Sequence, residues 1–193
     1  MVGTTFLRTT DTSTLQSVLT KTATIVEGVP SDQLGGSTPC PDLTVEQLRN
    51  HIVAWVRVFA NGAAGAPQPD DPDGYRSSDP GGDFRTVAAT AISAYTALPD
   101  DAPVRLGLGS MPAAGSVAMM TGEYVAHGWD LAKATGQQVP YTDREADAAR
   151  SGLAPMLVPE YRGPGKPFGD IVEVPADASG LEKFFGFVGR NPR

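Results

Sequence analysis

The sequence predicts an all-α protein, and three observations predict it. Apolar residues recur at the three- and four-residue spacing of helix faces along most of the chain. Two of these stretches open on capping boxes, Thr44-Val45-Glu46-Gln47 and Thr142-Asp143-Arg144-Glu145, in which a threonine and a Gln or Glu three residues later satisfy each other's backbone N–H groups. Only residues 104–109 are short and extended in character, a short strand or connector, with a small strand pair and short extra helices as the additions expected to the helical fold.

Taken in order, residues 10–26 carry Leu15, Val18, Leu19, Thr22, Ile25 and Val26 on one face. Asp11 or Ser13 is the candidate cap, and Gly28 and Pro30 close the helix. A loop over 31–42 contains Gly35-Gly36 and Pro39-Cys40-Pro41. The Thr44 helix runs to about Ala60 and is expected to stop at Asn61-Gly62. Residues 63–82, rich in Ala, Gly, Pro and Asp, read as a surface loop. Helix returns over 83–98 with Phe84, Val87, Ala91, Ala94, Tyr95 and Leu98. The longest helix spans 112–135 and ends on Gly136 as a left-handed cap. The Thr142 helix extends to about Leu157. After an irregular stretch over 159–176, a short helix carries Leu181, Phe184, Phe185 and Val188. No repeat or domain boundary interrupts the 193 residues, which are expected to form one domain.

Composition narrows the function classes. With 40% hydrophobic and 19% charged residues the chain is expected to be globular. No apolar run approaches the ~20 residues of a membrane helix. The segment Met1-Val2-Gly3-Thr4-Thr5-Phe6-Leu7-Arg8 lacks the pattern of a signal peptide, and a lone Cys40 forms no internal disulfide, so a cytoplasmic location is expected. The net charge of −7, with no Lys/Arg cluster, argues against nucleic acid as a partner.

Only two histidines occur, and both suit a metal site. Glu123 and His127 stand four apart on the longest helix, so they share a face with only about 40° of offset. His51 falls three residues after Leu48 and four before Trp55, on the inward face of another helix. Two imidazoles and a carboxylate on facing helices can hold a divalent cation, whereas the ordinary reading is a Glu–His hydrogen bond beside a satisfied core histidine. Asp130, three after His127, is a candidate acceptor for the free N–H of a ligating imidazole, against the alternative of a surface Asp near a helix end. Trp55 and Trp129 are expected to pack, and Cys40 to serve a turn. Asp70-Asp71-Pro72-Asp73-Gly74 is out of register for a calcium loop and reads as a solvated acidic turn. Gly107-Leu108-Gly109 lacks the rest of a phosphate loop, and no Gly-x-Ser-x-Gly elbow supports a Ser-His-Asp triad. Two His and one carboxylate also make the facial triad of non-haem iron oxygenases, which usually sit on β-barrels.

The run Thr38-Pro39-Cys40-Pro41-Asp42-Leu43-Thr44, leading to a helical His51, resembles the first motif of the DinB-like superfamily. The run from Glu123 through His127-Gly128-Trp129-Asp130-Leu131-Ala132 to Gly136 resembles the second motif of its actinobacterial branch. That branch includes the N-terminal domain of mycothiol-dependent maleylpyruvate isomerase. Val174-Pro175-Ala176-Asp177 and Gly189-Arg190-Asn191-Pro192 are similar to the short single-domain members. The resemblance implies an up-down four-helix bundle with a long crossover. It implies a metal site of His51, Glu123 and His127, most simply for Zn2+, with Ni2+, Mn2+, Fe2+ and Co2+ as alternatives. It also implies a thiol transferase or isomerase that takes mycothiol or a similar small thiol and an electrophilic substrate. The isomerase's second domain is expected to be absent here. Arg49 and Arg162 are candidate anchors for an acidic substrate, and a homodimer is a candidate assembly. The rival reading is a non-catalytic metal-binding or sensing module.

Overall fold

The computed structural model describes residues 10–40, 42–107, 109–166 and 168–192. The reading of residues 1–8 lies outside these. Four long helices form a ring: α1 (Ser13–Glu27), α2 (Val45–Ala64), α3 (Pro80–Thr96) and α4 (Ala113–Thr135). Around the ring α1 packs on α3, α3 on α2, α2 on α4 and α4 on α1, so α1 lies diagonal to α2 and α3 to α4. Side chains fix the directions. Thr12 at the start of α1 bonds Thr96 at the end of α3, while Arg85 early in α3 pairs with Glu27 at the end of α1. Gln137, just past α4, donates to the Ile25 carbonyl near the end of α1. Hence α1 and α4 run one way and α2 and α3 the other.

This arrangement is the expected four-helix bundle. Its long crossover is the segment 65–79, which returns along the bundle from the end of α2 to the start of α3. The crossover is pinned rather than free: Gln68 donates to the carbonyls of Val58 and Arg105, and Tyr75 donates to Asp83. A hairpin joins α3 to α4, with β1 (Pro103–Leu106) antiparallel to β2 (Gly109–Pro112) and Val104 opposite Met111. The extended stretch expected over 104–109 is therefore split between two strands, and its Leu108 lies outside the described residues. Helix α5 (Asp143–Leu153) covers α4, and α6 (Gly180–Phe187) covers α5.

Both capping boxes form as expected, and a third opens α6, where the Ser179 hydroxyl accepts from Glu182 N–H and the Glu182 side chain accepts from Ser179. Four boundaries differ from expectation. Helix α1 starts at Ser13, where Asp11 accepts its N–H. Helix α2 continues through Asn61-Gly62 to Ala64 and closes on left-handed Gly65. Gly62 stays in the helix because β1 lies against it: a Cβ there would sit 2.5 Å from the Arg105 carbonyl oxygen. Helix α3 starts earlier, since Asp79 accepts from Gly82 N–H and Pro80 needs no N–H partner in the first turn. Helix α5 ends at Leu153 rather than Leu157, where the Leu153 carbonyl accepts from the N–H groups of both Met156 and Leu157 in a tight turn.

The core is continuous from Leu15, Val18 and Leu19 of α1 through Leu48 and Ile52 of α2, Phe84 and Tyr95 of α3, and Met120 and Leu131 of α4 to Leu153 and Phe184. Among the described residues no helix is long and apolar enough to cross a membrane.

Candidate metal centre

Helices α2 and α4 run antiparallel and adjacent, and this brings the two histidines together. Their ring centroids are 5.1 Å apart, edge to face. Both line one cavity of about 440 Å³ together with Glu123. His127 Nε2 lies 3.3 Å from Glu123 Oε2, so the i, i+4 pair is formed as its spacing expects. The cavity is partly open to solvent and walled by Ile52, Trp55, Phe59, Met119, Tyr124 and Phe168.

Each histidine has a carboxylate behind it. On the other side of His127, Nδ1 is 3.5 Å from Asp130 Oδ2, long for a hydrogen bond, and this buried nitrogen has no other partner. Asp130 is 0% exposed, so it is no surface residue. Its burial is compensated by Arg190, whose Nη2 donates to Oδ2 at 2.8 Å and whose Nε donates to Oδ1 at 3.3 Å. On α2, His51 Nδ1 is 3.0 Å from Asp73 Oδ1, and Trp55 Nε1 donates to the same oxygen at 3.2 Å. Asp73 belongs to the crossover. The stretch expected to be a solvated acidic turn thus supplies a residue that holds a site histidine, and Trp55 does more than pack.

The electrostatics follow from these contacts. Burial lowers the His51 pKa, and the positive charge of nearby His127 lowers it further, against the opposing pull of Asp73. His51 is therefore a neutral donor at neutral pH, with Nε2 left for a ligand. Burial opposes a charged His127, but the contacts to Asp130 and Glu123 outweigh it and raise its pKa to about 9. Glu123 is held below the usual carboxylate range: burial would raise it, and His127, Arg190 and His51 more than offset that.

The donor chemistry of His51, Glu123 and His127 suits a divalent cation on the Nε2 side, but among the described residues their ligand atoms are not a group lying wholly within 4.8 Å of one another, so a bound cation would draw His51 inward. Two imidazoles and one carboxylate are a donor set that leaves a position open on zinc. The orphaned Nδ1 of His127 is what a ligating imidazole needs on its far side, a proton facing a carboxylate. The group whose ligand-capable atoms do all lie within 4.8 Å of one another, among the described residues, is Cys40, His127 and Asp130. Its chemistry suits a metal less well. Arg190 already occupies both oxygens of Asp130, and burial, followed by the charge of Asp130, pushes the Cys40 thiol pKa up and keeps it protonated. Cys40 also serves the expected turn, its N–H donating to Thr38 Oγ1 and its carbonyl accepting from that hydroxyl and from Leu43 N–H.

Residues 15–132 match the family described as the mycothiol maleylpyruvate isomerase N-terminal domain. The chain belongs to this family. The match takes in α1 to α3 and most of α4, hence both helices that carry the histidines. The chain is also similar to two uncharacterized proteins of Mycobacterium tuberculosis, one from strain CDC 1551 / Oshkosh and one from strain H37Rv. Each is 34% identical over 174 residues, covering 89% of this chain and 92% of the relative. No solved structure matches. Within this mycothiol isomerase-type domain, Lys166, Phe168 and Arg190 reach the cavity from beyond the matched span.

Sequence reasoning missed Asp73, Arg190 and the cavity role of Cys40. For Asp73 there was no local signal, since the crossover has no period. Arg190 lay in a recognised tail motif but had no visible partner until Asp130 proved buried. The two arginines expected as anchors do not line the cavity. Arg162 instead donates to the carbonyls of Gly169 and Phe187.

Proposed function

We propose that this protein is a divalent-metal-dependent transferase or isomerase that uses a small thiol of the mycothiol type against an electrophilic substrate. The observation that carries the reading is that His51, Glu123 and His127 line one cavity, with the two imidazole rings 5.1 Å apart, in a chain of the mycothiol isomerase-type family. These three residues would hold the metal, with Zn2+ the simplest choice and Ni2+, Mn2+, Fe2+ or Co2+ as alternatives. When bound, the cation would lower the pKa of a thiol at its open position.

The protein's own residues do the rest. With a cation on the Nε2 side, His127 would give up the second proton that Glu123 and Asp130 favour in the metal-free chain, while Asp73 and Asp130 would keep protons on the Nδ1 atoms of His51 and His127 and leave each Nε2 to the metal. Arg190 keeps Asp130 ionised by direct hydrogen bonding. Phe59 and Tyr124, both buried, line the cavity beside the histidines, and an apolar lining strengthens charge interactions next to it. The acidic net charge supports a small-molecule substrate over a nucleic-acid partner. An open cavity favours this over a purely structural or sensing metal module, whose site would be closed.

The test is metal content of the purified chain by elemental mass spectrometry, with loss of mycothiol and electrophile followed in parallel. About one equivalent of metal per chain is expected, falling to background in Glu123→Ala and His51→Ala. Full metal retention in both variants would remove those ligands. Absence of metal after reconstitution would end the catalytic reading.

A further inference from the structure

The cavity above the histidines is built for one kind of occupant. Its walls are aromatic and aliphatic, with Trp55, Phe59, Met119 and Phe168 facing a space of about 440 Å³. That size accommodates a small ring compound with room for a thiol tail. Its charges leave little for an anion. The guanidinium in the wall, Arg190, is spent on Asp130 and the Val188 carbonyl. Lys166 is exposed and has no hydrogen-bonding or ion-pair partner for its ammonium among the described residues. Carboxylates Asp42, Asp73 and Glu123 line the same space, and His127 is already flanked by Glu123 and Asp130, so a second anionic group would meet like charge with no side-chain cation free to answer it once a thiolate fills the open position of the cation proposed above.

We propose that the electrophile is a small aromatic or comparably planar apolar compound with no more than one anionic group, its ring held between Trp55, Phe59, Met119 and Phe168 and its charge, where present, held by Lys166. This deepens the function proposed above and rests on it for the word electrophile. The binding preference itself requires neither thiol nor metal and is tested apart from them.

The experiment is quenching of tryptophan fluorescence in the full chain, since Trp55 lines the cavity, with calorimetry as a second readout. The probes are neutral cinnamamide, monoanionic cinnamate and dianionic maleate. Both aromatic probes are expected to bind at least about tenfold more tightly than maleate. Met119→Ala and Phe168→Ala, both partly buried and therefore mild for folding, are each expected to weaken cinnamamide by about threefold to tenfold. Lys166→Ala is expected to weaken cinnamate and leave cinnamamide unchanged. Tighter binding of maleate than of either aromatic probe overturns the proposal, as does indifference of cinnamamide to both wall variants while circular dichroism shows them folded. Equal loss of cinnamate and cinnamamide in Lys166→Ala overturns its charge-holding role. A chain that takes up metal but prefers maleate sinks this inference and spares the proposed function, whereas a chain that binds cinnamamide but never metal does the reverse.

Discussion

At the scale of single residues, the site depends on carboxylates that are not themselves the expected ligands. Asp73 accepts from His51 and Trp55 with one oxygen. Loss of such an outer partner typically weakens metal binding by about 10- to 100-fold, and we expect that range for Asp73→Ala in competition with a chelating dye. An unchanged affinity would mean that His51 is oriented by packing alone. Asp130 and Arg190 make a buried pair in which each charge compensates the other. Arg190→Met leaves a fully buried carboxylate facing only His127, and breaking such a pair costs about 3–5 kcal/mol. Urea unfolding should show that loss in Arg190→Met and recover much of it in Arg190→Met with Asp130→Asn, because the double variant buries no unpaired charge. If the double variant is no better than the single, the loss comes from Arg190's bonds to the tail rather than from the pair.

At the scale of elements, what could be read in advance was what is local. Thr44 and Thr142 open helices because each has its partner three residues on, and Gly136 ends α4 because its own φ is left-handed. His51, Glu123 and His127 were legible because helical spacing alone sets the face each presents. Gly62 was misread as a stop because glycine serves two purposes, freedom at a helix end and closeness inside one, and only the tertiary neighbour distinguishes them. Gly62→Ala would push a methyl against backbone of β1, which no rotamer change can relieve. Overpacking of this kind costs about 1–3 kcal/mol, and a thermal melt should show it, while a neutral result would mean the hairpin is free to shift. Between α1 and α5 the tie is Glu145, which accepts from Ser17, Lys21 and the Thr142 N–H. Burial would raise its pKa, but these donors hold it below the ordinary 4.5. A depressed carboxylate stabilises the fold above its unfolded pKa, and that contribution is lost as pH falls through the folded value. The stability gap between the natural chain and Glu145→Gln, measured by urea unfolding from about pH 6 to pH 3, should therefore narrow on acidification; a constant gap would assign Glu145 a packing role only.

At the scale of the whole molecule, the ring of helices makes the proposed metal site a property of the fold. The expected ligands come from α2 and α4, which are neighbours only because the chain crosses the bundle between them. Asp73 comes from the crossover, and Arg190 from the segment after α6. An unfolded chain holds Glu123 and His127 near each other but leaves His51 at the end of a long flexible loop, so under the proposed ligand set it would bind a cation far more weakly than the folded chain. A ligand that binds only the folded state adds about 2.7 kcal/mol at a hundred times its dissociation constant. For a chain of 193 residues this amounts to a rise in melting temperature of roughly 5–10 °C. Differential scanning fluorimetry with Zn2+ should show that rise, EDTA should abolish it, and His127→Ala and His51→Ala should each show little of it. Because the four groups of residues meet only in the assembled bundle, a similar rise in both histidine variants would place the cation elsewhere. A rise lost in His127→Ala but kept in His51→Ala, and lost again in Cys40→Ala, would move the metal to the Nδ1 side of His127, against Cys40 and Asp130.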